Sequence, residues 1–474
     1  MKNRRGLLQL EGLTERIVPA VSIRSVDGDL VIRGTPNLDS GKPTLTINVT
    51  ADNTVSITDG KTSRGSYSVT GDLILNMSNR NDTVVITLSG GSLNGGISAS
   101  LLNGNDSLTV RSIDAERTIS GGISVNGGNG NDFFVLASGN PGGLKVEGAV
   151  SFNGGAGKDI AFINHTTDEA GTTNATGPLL IGAGLTLTRV NGDTTRHVNI
   201  GTKATVEISG NLIINASADK LVTNRFVIGS DTKAVSIAGT LAITGGQGAD
   251  NVEIQNTTIV DVIPAEDEVL EITINLDRGV NNTKLTAIDF GTSGTDADFA
   301  YTGGTGEDII EFEGTNTVSG DAIFNFGNGQ NILELSSSTT FDADVTVTGG
   351  KNNDTVVIQD ATISGLLTLT MGNGVNNFTT TDKAGIAGGL TYTGGSEADT
   401  VRLENGDGLA GDVSISVGAG GDTIEITGTT TVGVTSLTVD LGIDSAVDSF
   451  KYNLILESLI TILNQGSEDT VTSE

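Results

Sequence analysis

A six-residue segment, Gly-Gly-x-Gly-x-Asp, recurs along this chain, and each copy lies between two short apolar runs of β type. Complete copies end at Asp132, Asp159, Asp250 and Asp308, copies that lack glycines end at Asp82, Asp106, Asp354, Asp399 and Asp422, and asparagine forms end at Asn281, Asn331 and Asn376. From Asp308 to Asp422 the successive steps are 23, 23, 22, 23 and 23 residues. A fixed period of this size is typical of stacked repeat architectures.

The segments between the glycine turns have the pattern of β-strands. Apolar and polar residues alternate in short runs bounded by Gly, Asn and Asp, and no amphipathic helix of three turns is indicated. A coil of this length fits a three-sided solenoid with inward-facing Ile, Val and Leu, and parallel crossovers favour right-handed winding. The sequence therefore predicts an all-β fold, a right-handed single-stranded parallel β-helix (β-solenoid) with rungs of about 23 residues.

The chain divides into three predicted parts. Residues 1–20 are an export leader or disordered tail, residues 21–70 form an N-terminal cap or divergent first rungs, and residues 71–474 form the β-helix repeat domain. Two segments that stretch the repeat, Asn164–Pro178 and Asn256–Val269, are expected to be loops outside the regular coil. Weaker matches to the glycine turn lie at Asp193, Asp219, Asp448 and Asp469.

The charge balance excludes several partners. The chain has 26 Lys and Arg against 57 Asp and Glu, a net charge of −31, so its field repels nucleic acid and anionic lipid. No apolar run reaches the length of about 18 residues that a membrane-spanning helix needs. With no cysteine, disulfide frameworks and thiolate metal sites are excluded.

The N-terminal segment carries a second pattern. Residues 10–20, Leu-Glu-Gly-Leu-Thr-Glu-Arg-Ile-Val-Pro-Ala, resemble the Leu-Glu-x-Leu-Glu-x-Arg-x-Val-Pro-Ala leader of large exported repeat proteins of planctomycete bacteria. Thr14-Glu15 stand where that leader usually has Glu-Asp. The resemblance implies that the protein is exported and works outside the cell or at its surface.

The extended turn, Gly-Gly-x-Gly-x-Asp-x-apolar-x, is similar to the calcium-binding nonapeptide of RTX proteins. In that family Ca²⁺ is held between successive nine-residue turns, whereas here the turns recur at about 23 residues. If the turns stack, their aspartates form a column that can take Ca²⁺, and the candidate ligands are Asp82, Asp106, Asp132, Asp159, Asp250 and Asp308. Two alternatives remain: each Asp hydrogen-bonds its own turn backbone, or Asn amides donate to neighbouring carboxylates.

Catalytic patterns are weak. His165 and His197 have no nucleophile-type motif beside them, and the chain contains no Trp and only 4 Tyr. We therefore expect a structural or adhesive scaffold with no catalytic activity, whose partners are other surface or matrix proteins or polysaccharide. A calcium-binding surface module is the first alternative, and a β-helix lyase or glycosidase acting on carbohydrate is the second. The last rung, ending near Glu474, shows no cap signal, which leaves two alternatives: the chain is a fragment of something longer, or this end docks onto a partner or, by end-to-end self-association, onto another copy.

Overall fold

The computed structural model describes residues 21–34, 44–166, 173–190, 198–216, 223–260, 270–291, 297–381, 383–404, 408–427 and 433–473. The chain is 59% strand and forms stacked parallel coils. Its described part contains no α-helix, and one 3₁₀ turn lies at Leu454–Leu456. The predicted all-β class and parallel β-helix are confirmed. The predicted leader lies outside the described residues.

The coils contribute strands to three faces, here named A, B and C, and most of the middle coils contribute to all three. Face A contains Leu73–Asn76, Ile97–Ser100, Ile123–Asn129, Val150–Ala156, Leu185–Thr188, Leu212–Asn215, Leu241–Thr244, Leu270–Asn275, Ala297–Thr302, Ala322–Asn325, Val345–Thr348, Leu367–Thr370, Leu390–Thr393, Gly408–Ser416, Gly433–Asp440 and Ile460–Leu463.

Face B follows face A along the chain, in most coils after a glycine turn. It contains Thr83–Leu88, Ser107–Ser112, Phe133–Ser138, Ile160–Ile163, Val198–Ile200, Asn224–Ile228, Asp250–Ile259, Asn281–Phe290, Asp308–Glu313, Ile332–Leu335, Thr355–Gln359, Asn377–Thr381, Thr400–Glu404, Thr423–Thr427, Ser449–Tyr452 and Thr470–Ser473.

Face C is built from short strands. They are Arg117–Ile119, Leu144–Val146, Leu179–Ile181, Val206–Ile208, Val235–Ile237, Asn316–Val318, Thr339–Phe341, Ala361–Ile363 and Gly385–Ile386. In two coils one long strand, Asp250–Ile259 or Asn281–Phe290, serves faces B and C together.

The stacking register shows that coil length differs along the chain. From Phe299 to Ile460, equivalent face A residues are 22 to 24 residues apart, at Ala322, Val345, Leu367, Leu390, Val413 and Leu437. From Leu73 to Phe299 the spacing is 24 to 35 residues, at Ile97, Ile123, Val150, Leu185, Leu212, Leu241 and Ile272. The mean is about 26 residues per turn, longer than the predicted 23, because the earlier coils carry longer connections.

The N-terminal strands pair differently. Val21–Val26 and Asp29–Gly34 form an antiparallel hairpin, and Thr44–Ala51, Thr54–Asp59 and Thr62–Ser68 form an antiparallel three-stranded unit. Asp29–Gly34 then pairs in parallel with face A and Thr44–Ala51 with face B. The parallel stack is thereby joined to an antiparallel start.

Alternating burial places the core inside the coils. In most strands every second residue is buried, and these inward positions hold mainly Leu, Ile and Val. Aromatic side chains concentrate in the middle coils, where Phe299 packs against Phe290, Phe312 and Phe324. Burying each such side chain contributes roughly 1.5–3 kcal/mol, so the ladders of apolar residues stabilise the stack.

The two predicted loop segments have different outcomes. Asn256–Ile259 completes a strand that pairs with Val235–Ile237, so the loop prediction is wrong there, and residues 261–269 lie outside the description. In Asn164–Pro178, the described residues fold back toward the coil, since Thr166 pairs with Asn174 and Thr176 donates to the Ser138 carbonyl.

Beside this segment, face B has an apolar outer surface. Outward residues of Phe133–Ser138 and Ile160–Ile163 form a second buried cluster with Ala175 and Ala204. The segment therefore accompanies a small core on the outside of the solenoid, at positions where most of the other described coils present polar residues.

Candidate functional site: the column of aspartates and asparagines

The glycine turn fixes the corner between faces A and B, and its first glycine lies against the carboxylate that ends the motif. A Cβ atom on Gly245, Gly303 or Gly394 would overlap Oδ2 of the aspartate five residues later. Any side chain at this position would therefore displace the carboxylate. This contact explains why the motif pairs its first Gly with its last Asp.

The second and third glycines bring neighbouring coils together. Gly128 and Gly130 have φ values of 107° and 134°, a region that residues with side chains rarely adopt. A Cβ atom on either would overlap a carbonyl oxygen of the preceding coil, that of Leu102 or Gly104. At this corner the backbones of adjacent coils are therefore in direct contact, with no room for a side chain between them.

The last residue of the motif points inward, and its equivalents align in a column, here called the Asx column. The equivalent position in the coil between Asp159 and Asn224 lies outside the described residues. Its described members are Asp82, Asp106, Asp132, Asp159, Asn224, Asp250, Asn281, Asp308, Asn331, Asp354, Asn376, Asp399, Asp422, Asp448 and Asp469. All six predicted candidate ligands belong to this column. Asp82, Asp106, Asp132 and Asp159 are consecutive, whereas Asn281 separates Asp250 from Asp308.

One hydrogen bond repeats along the column. In most described coils the backbone N–H of the member donates to Oδ1 of its equivalent in the next coil, at 2.9 Å from Asp106 to Asp132 and 2.8 Å from Asp132 to Asp159. The same bond runs from Asp308 to Asn331 at 3.0 Å and from Asp422 to Asp448 at 2.8 Å. Asn224 and Asn281 differ, because their backbone N–H groups donate to the carbonyls of Ala249 and Glu307. The side chains therefore extend the hydrogen-bond ladder between coils into the corner.

Asparagine adds a second bond. Nδ2 donates to the carboxylate of the next coil from Asn224 to Asp250 at 2.6 Å, from Asn281 to Asp308 at 2.7 Å and from Asn331 to Asp354 at 2.8 Å. The predicted donation of Asn amides to neighbouring carboxylates is confirmed for these three pairs. Asn376 differs, because its Nδ2 donates to the carbonyls of Gly372 and Gly374.

The hydrogen-bond partner of the second carboxylate oxygen, Oδ2, differs from coil to coil. Oδ2 of Asp82 accepts from Ser78 N at 2.8 Å, and Oδ2 of Asp250 and of Asp354 accepts from a turn glycine N–H at 3.1 Å. These contacts confirm, for three members, the prediction that Asp bonds its own turn. Within the described residues, Oδ2 of Asp106, Asp132 and Asp422 is buried and accepts no hydrogen bond.

Burial raises the pKa of these carboxyls. Desolvation raises the pKa of Asp106, Asp250 and Asp422 to about 7, and like-charged neighbours add to the shift. It raises the pKa of Asp132 and Asp308 to about 6, against 3.8 for a free side chain. The column therefore holds protons at weakly acidic pH that an exposed aspartate releases.

The column alone does not assemble a calcium ligand set. Among the described residues, no group of three or more His, Asp or Glu side chains is placed to hold a metal ion. Ca²⁺ takes 6–8 oxygen ligands, whereas Asp106 and Asp132 each offer one oxygen without a hydrogen bond. Calcium binding therefore stays a prediction.

His165 and a surface depression lie outside the Asx column. His165 packs on Phe162, with ring centroids 4.6 Å apart, and its Nδ1 contacts Thr202 Oγ1. A depression of about 240 Å³ on face C is lined by Glu116, Lys145 and Glu207 among others. His197 lies outside the described residues.

The sequence missed one member of the column. Asn224 occupies the position for which Asp219 is the expected residue, and no glycine pair precedes it. Asp193 and Asp219 lie outside the described residues, whereas the weaker matches at Asp448 and Asp469 are confirmed. Only an unbroken apolar strand, Phe226-Val227-Ile228, signals this coil in the sequence.

No helix in the described ranges is long and apolar enough to cross a bilayer. The chain matches no family model, no curated protein and no solved structure. Its function is therefore inferred from the fold and from the Asx column.

Proposed function

We propose that this protein is an exported, acidic β-solenoid that serves as a structural or adhesive scaffold at the cell surface or in an extracellular matrix, without catalytic activity. The Asx column is the observation that carries the proposal. The buried carboxyls with raised pKa, such as Asp106 and Asp250, face the inside of the coil and bond to neighbouring coils. These carboxyls therefore act in holding successive coils together.

Export is supported by the resemblance of residues 10–20 to a planctomycete leader, and the net charge of −31 suits a rod that stays dispersed in solvent. The partners that fit such a scaffold are other surface or matrix proteins or polysaccharide.

Surface labelling of intact cells tests the proposal. An antibody against the solenoid should label intact producing cells, and external protease should remove the signal. A variant that lacks residues 10–20 should accumulate inside the cell. A full-length protein that is protected until the cells are lysed would contradict the proposed location.

A calcium-binding surface module is the second candidate. It is supported by the buried Oδ2 atoms of Asp106 and Asp132, which accept no hydrogen bond and belong to adjacent coils. Calorimetric titration with Ca²⁺ and with Mg²⁺, at matched ionic strength, should then show heat for Ca²⁺ that the double change Asp106→Asn and Asp132→Asn removes. Equal responses of the two proteins would exclude these carboxylates as ligands.

A further inference from the structure

Two rows of outward positions on face A are free of charge over most of the rod. In the fourteen strands from Leu73–Asn76 to Gly408–Ser416, the two outward positions aligned with Ile74 and Asn76 hold only Ser, Thr, Asn, Ile and Ala. We call these positions the outer A array. They are exposed or half-buried, as in Ser98, Asn126 and Thr370.

Face B shows that outward strand positions in this chain readily carry charge. Arg402 pairs there with Glu425 at 2.7 Å, and Lys284 pairs with Glu313 at 2.7 Å. The neutrality of the outer A array is therefore a property of that face. Glu271 and Asp298, which precede the array on their strands, form part of a charged border.

Neutrality matters because two copies of a chain with net charge −31 repel each other. They can approach most easily through the surface that carries no carboxylates. Ser, Thr and Asn side chains both donate and accept hydrogen bonds, so the outer A array can pair with a second copy of itself.

The array also has the size of a stable interface. Fourteen strands at about 4.8 Å spacing extend roughly 60 Å, and four residues at about 3.3 Å each give a width of roughly 13 Å. The resulting area of roughly 800 Å² per copy matches a standard protein–protein interface.

Polysaccharide fits this surface less well. Large aromatic rings, which supply stacking area in binding sites, are turned inward here: Tyr301 and Tyr392 lie between outward Thr or Ala neighbours and are fully buried.

We propose that the outer A array is an interface at which a second copy of this chain packs side by side. The proposal goes beyond the scaffold function and requires neither calcium nor a particular location.

Paired charge variants test it. Asn126→Glu with Asn325→Glu places carboxylates in the outer A array, and Asn282→Glu with Asn377→Glu makes the same change at outward positions of face B. In sedimentation velocity over a concentration series, the wild type should associate, the face A variant should need at least tenfold higher concentration, and the face B variant should match the wild type.

Small-angle scattering separates this geometry from end-to-end contact. Side-by-side packing should raise the cross-sectional radius of gyration of the wild type at high concentration, whereas end-to-end contact lengthens the rod at constant cross-section. Monomeric wild type throughout, growth in length alone, or equal association of the face A variant and the wild type would overturn the proposal. Circular dichroism melting of each variant confirms that it is folded, and surface labelling of cells tests the scaffold function separately.

Discussion

Two stretches of the Asx column link adjacent coils through different residues. From Asp82 to Asp159 every member is a carboxyl, and Oδ1 of Asp106, Asp132 and Asp159 each accepts a backbone N–H of the preceding coil. From Asn224 to Asp354 amides and carboxyls alternate, and Asn Nδ2 donates to the following carboxylate. The first stretch places like charges in adjacent coils, and the second separates them.

The difference shows what the column needs. Its recurring feature is a side-chain oxygen that accepts a hydrogen bond from the preceding member, and both Asp and Asn provide that oxygen. The donor is the backbone N–H in most coils and Asn Nδ2 at Asp250 and Asp308. Charge is the variable feature, and in the all-aspartate stretch it must be neutralised by protons or by a cation. The backbone corner is common to both stretches, so it should dominate stability.

The largest loss of stability is expected from a substitution at the glycine corner between faces A and B. Gly130→Ala adds a Cβ that overlaps the Gly104 carbonyl, at a φ of 134°. Urea unfolding should show a loss of about 3 kcal/mol or more, because neither backbone can move without breaking the stack.

Gly385→Ala is the matched control. A Cβ there would meet its nearest atoms, on Thr362, at 3.6 Å or more. Its effect should stay within about 1 kcal/mol. Equal losses for the two variants would show that the glycines are not needed for close approach between coils.

Asn281→Asp converts the alternating stretch into an all-carboxyl stretch from Asp250 to Asp308. It removes the Nδ2 donor to Asp308 and buries another carboxylate, so urea unfolding at pH 8 should show a loss of about 2–3 kcal/mol. Asn282→Asp, the exposed neighbour on the same strand, should change stability by about 0.5 kcal/mol or less. If both variants lose the same stability, alternation has no energetic role.

The smallest loss of stability is expected from the exposed asparagines of the glycine turns. Asn103 donates to Asn79 and accepts from Asn129, both at 2.6 Å, in an exposed ladder beside the column. Asn103→Ala should cost less than about 1 kcal/mol in urea unfolding, because water replaces these bonds. A loss as large as that of Asn281→Asp would show that the outer ladder, rather than the buried column, holds the coils.

The sequence predicted the fold well where its spacing is regular. The steps from Asp308 to Asp422 gave the coil length of that region, and the glycine turns located most members of the column. The turn before Asn224 lacks the glycine pair, so its coil could not be placed from the motif.

Two properties of the site depend on register, which spacing alone does not reveal. The inward direction of Asp106 and Asp132, and hence their raised pKa, follows from the alternation of the face B strands. The outer A array likewise emerges only when strands separated by 22 to 35 residues are aligned.

The pH dependence of unfolding for the wild type and Asp106→Asn tests the role of the column most directly. Burial raises the pKa of Asp106 from 3.8 to about 7, so the folded state binds the proton more tightly than the unfolded state. Its stabilising contribution is complete below about pH 4 and is lost as pH rises through about 7. Asp344→Asn, at an exposed corner, controls for net charge.

We expect the wild-type thermal midpoint to fall between pH 5 and pH 8 in chelator. Asp106→Asn should come closest to the wild type near pH 4 and exceed it by a growing margin up to pH 8, where one amide donor replaces a buried carboxylate. If Asp106→Asn is less stable than the wild type at pH 8, or follows the same pH dependence as the wild type, the buried carboxyl does not act as described.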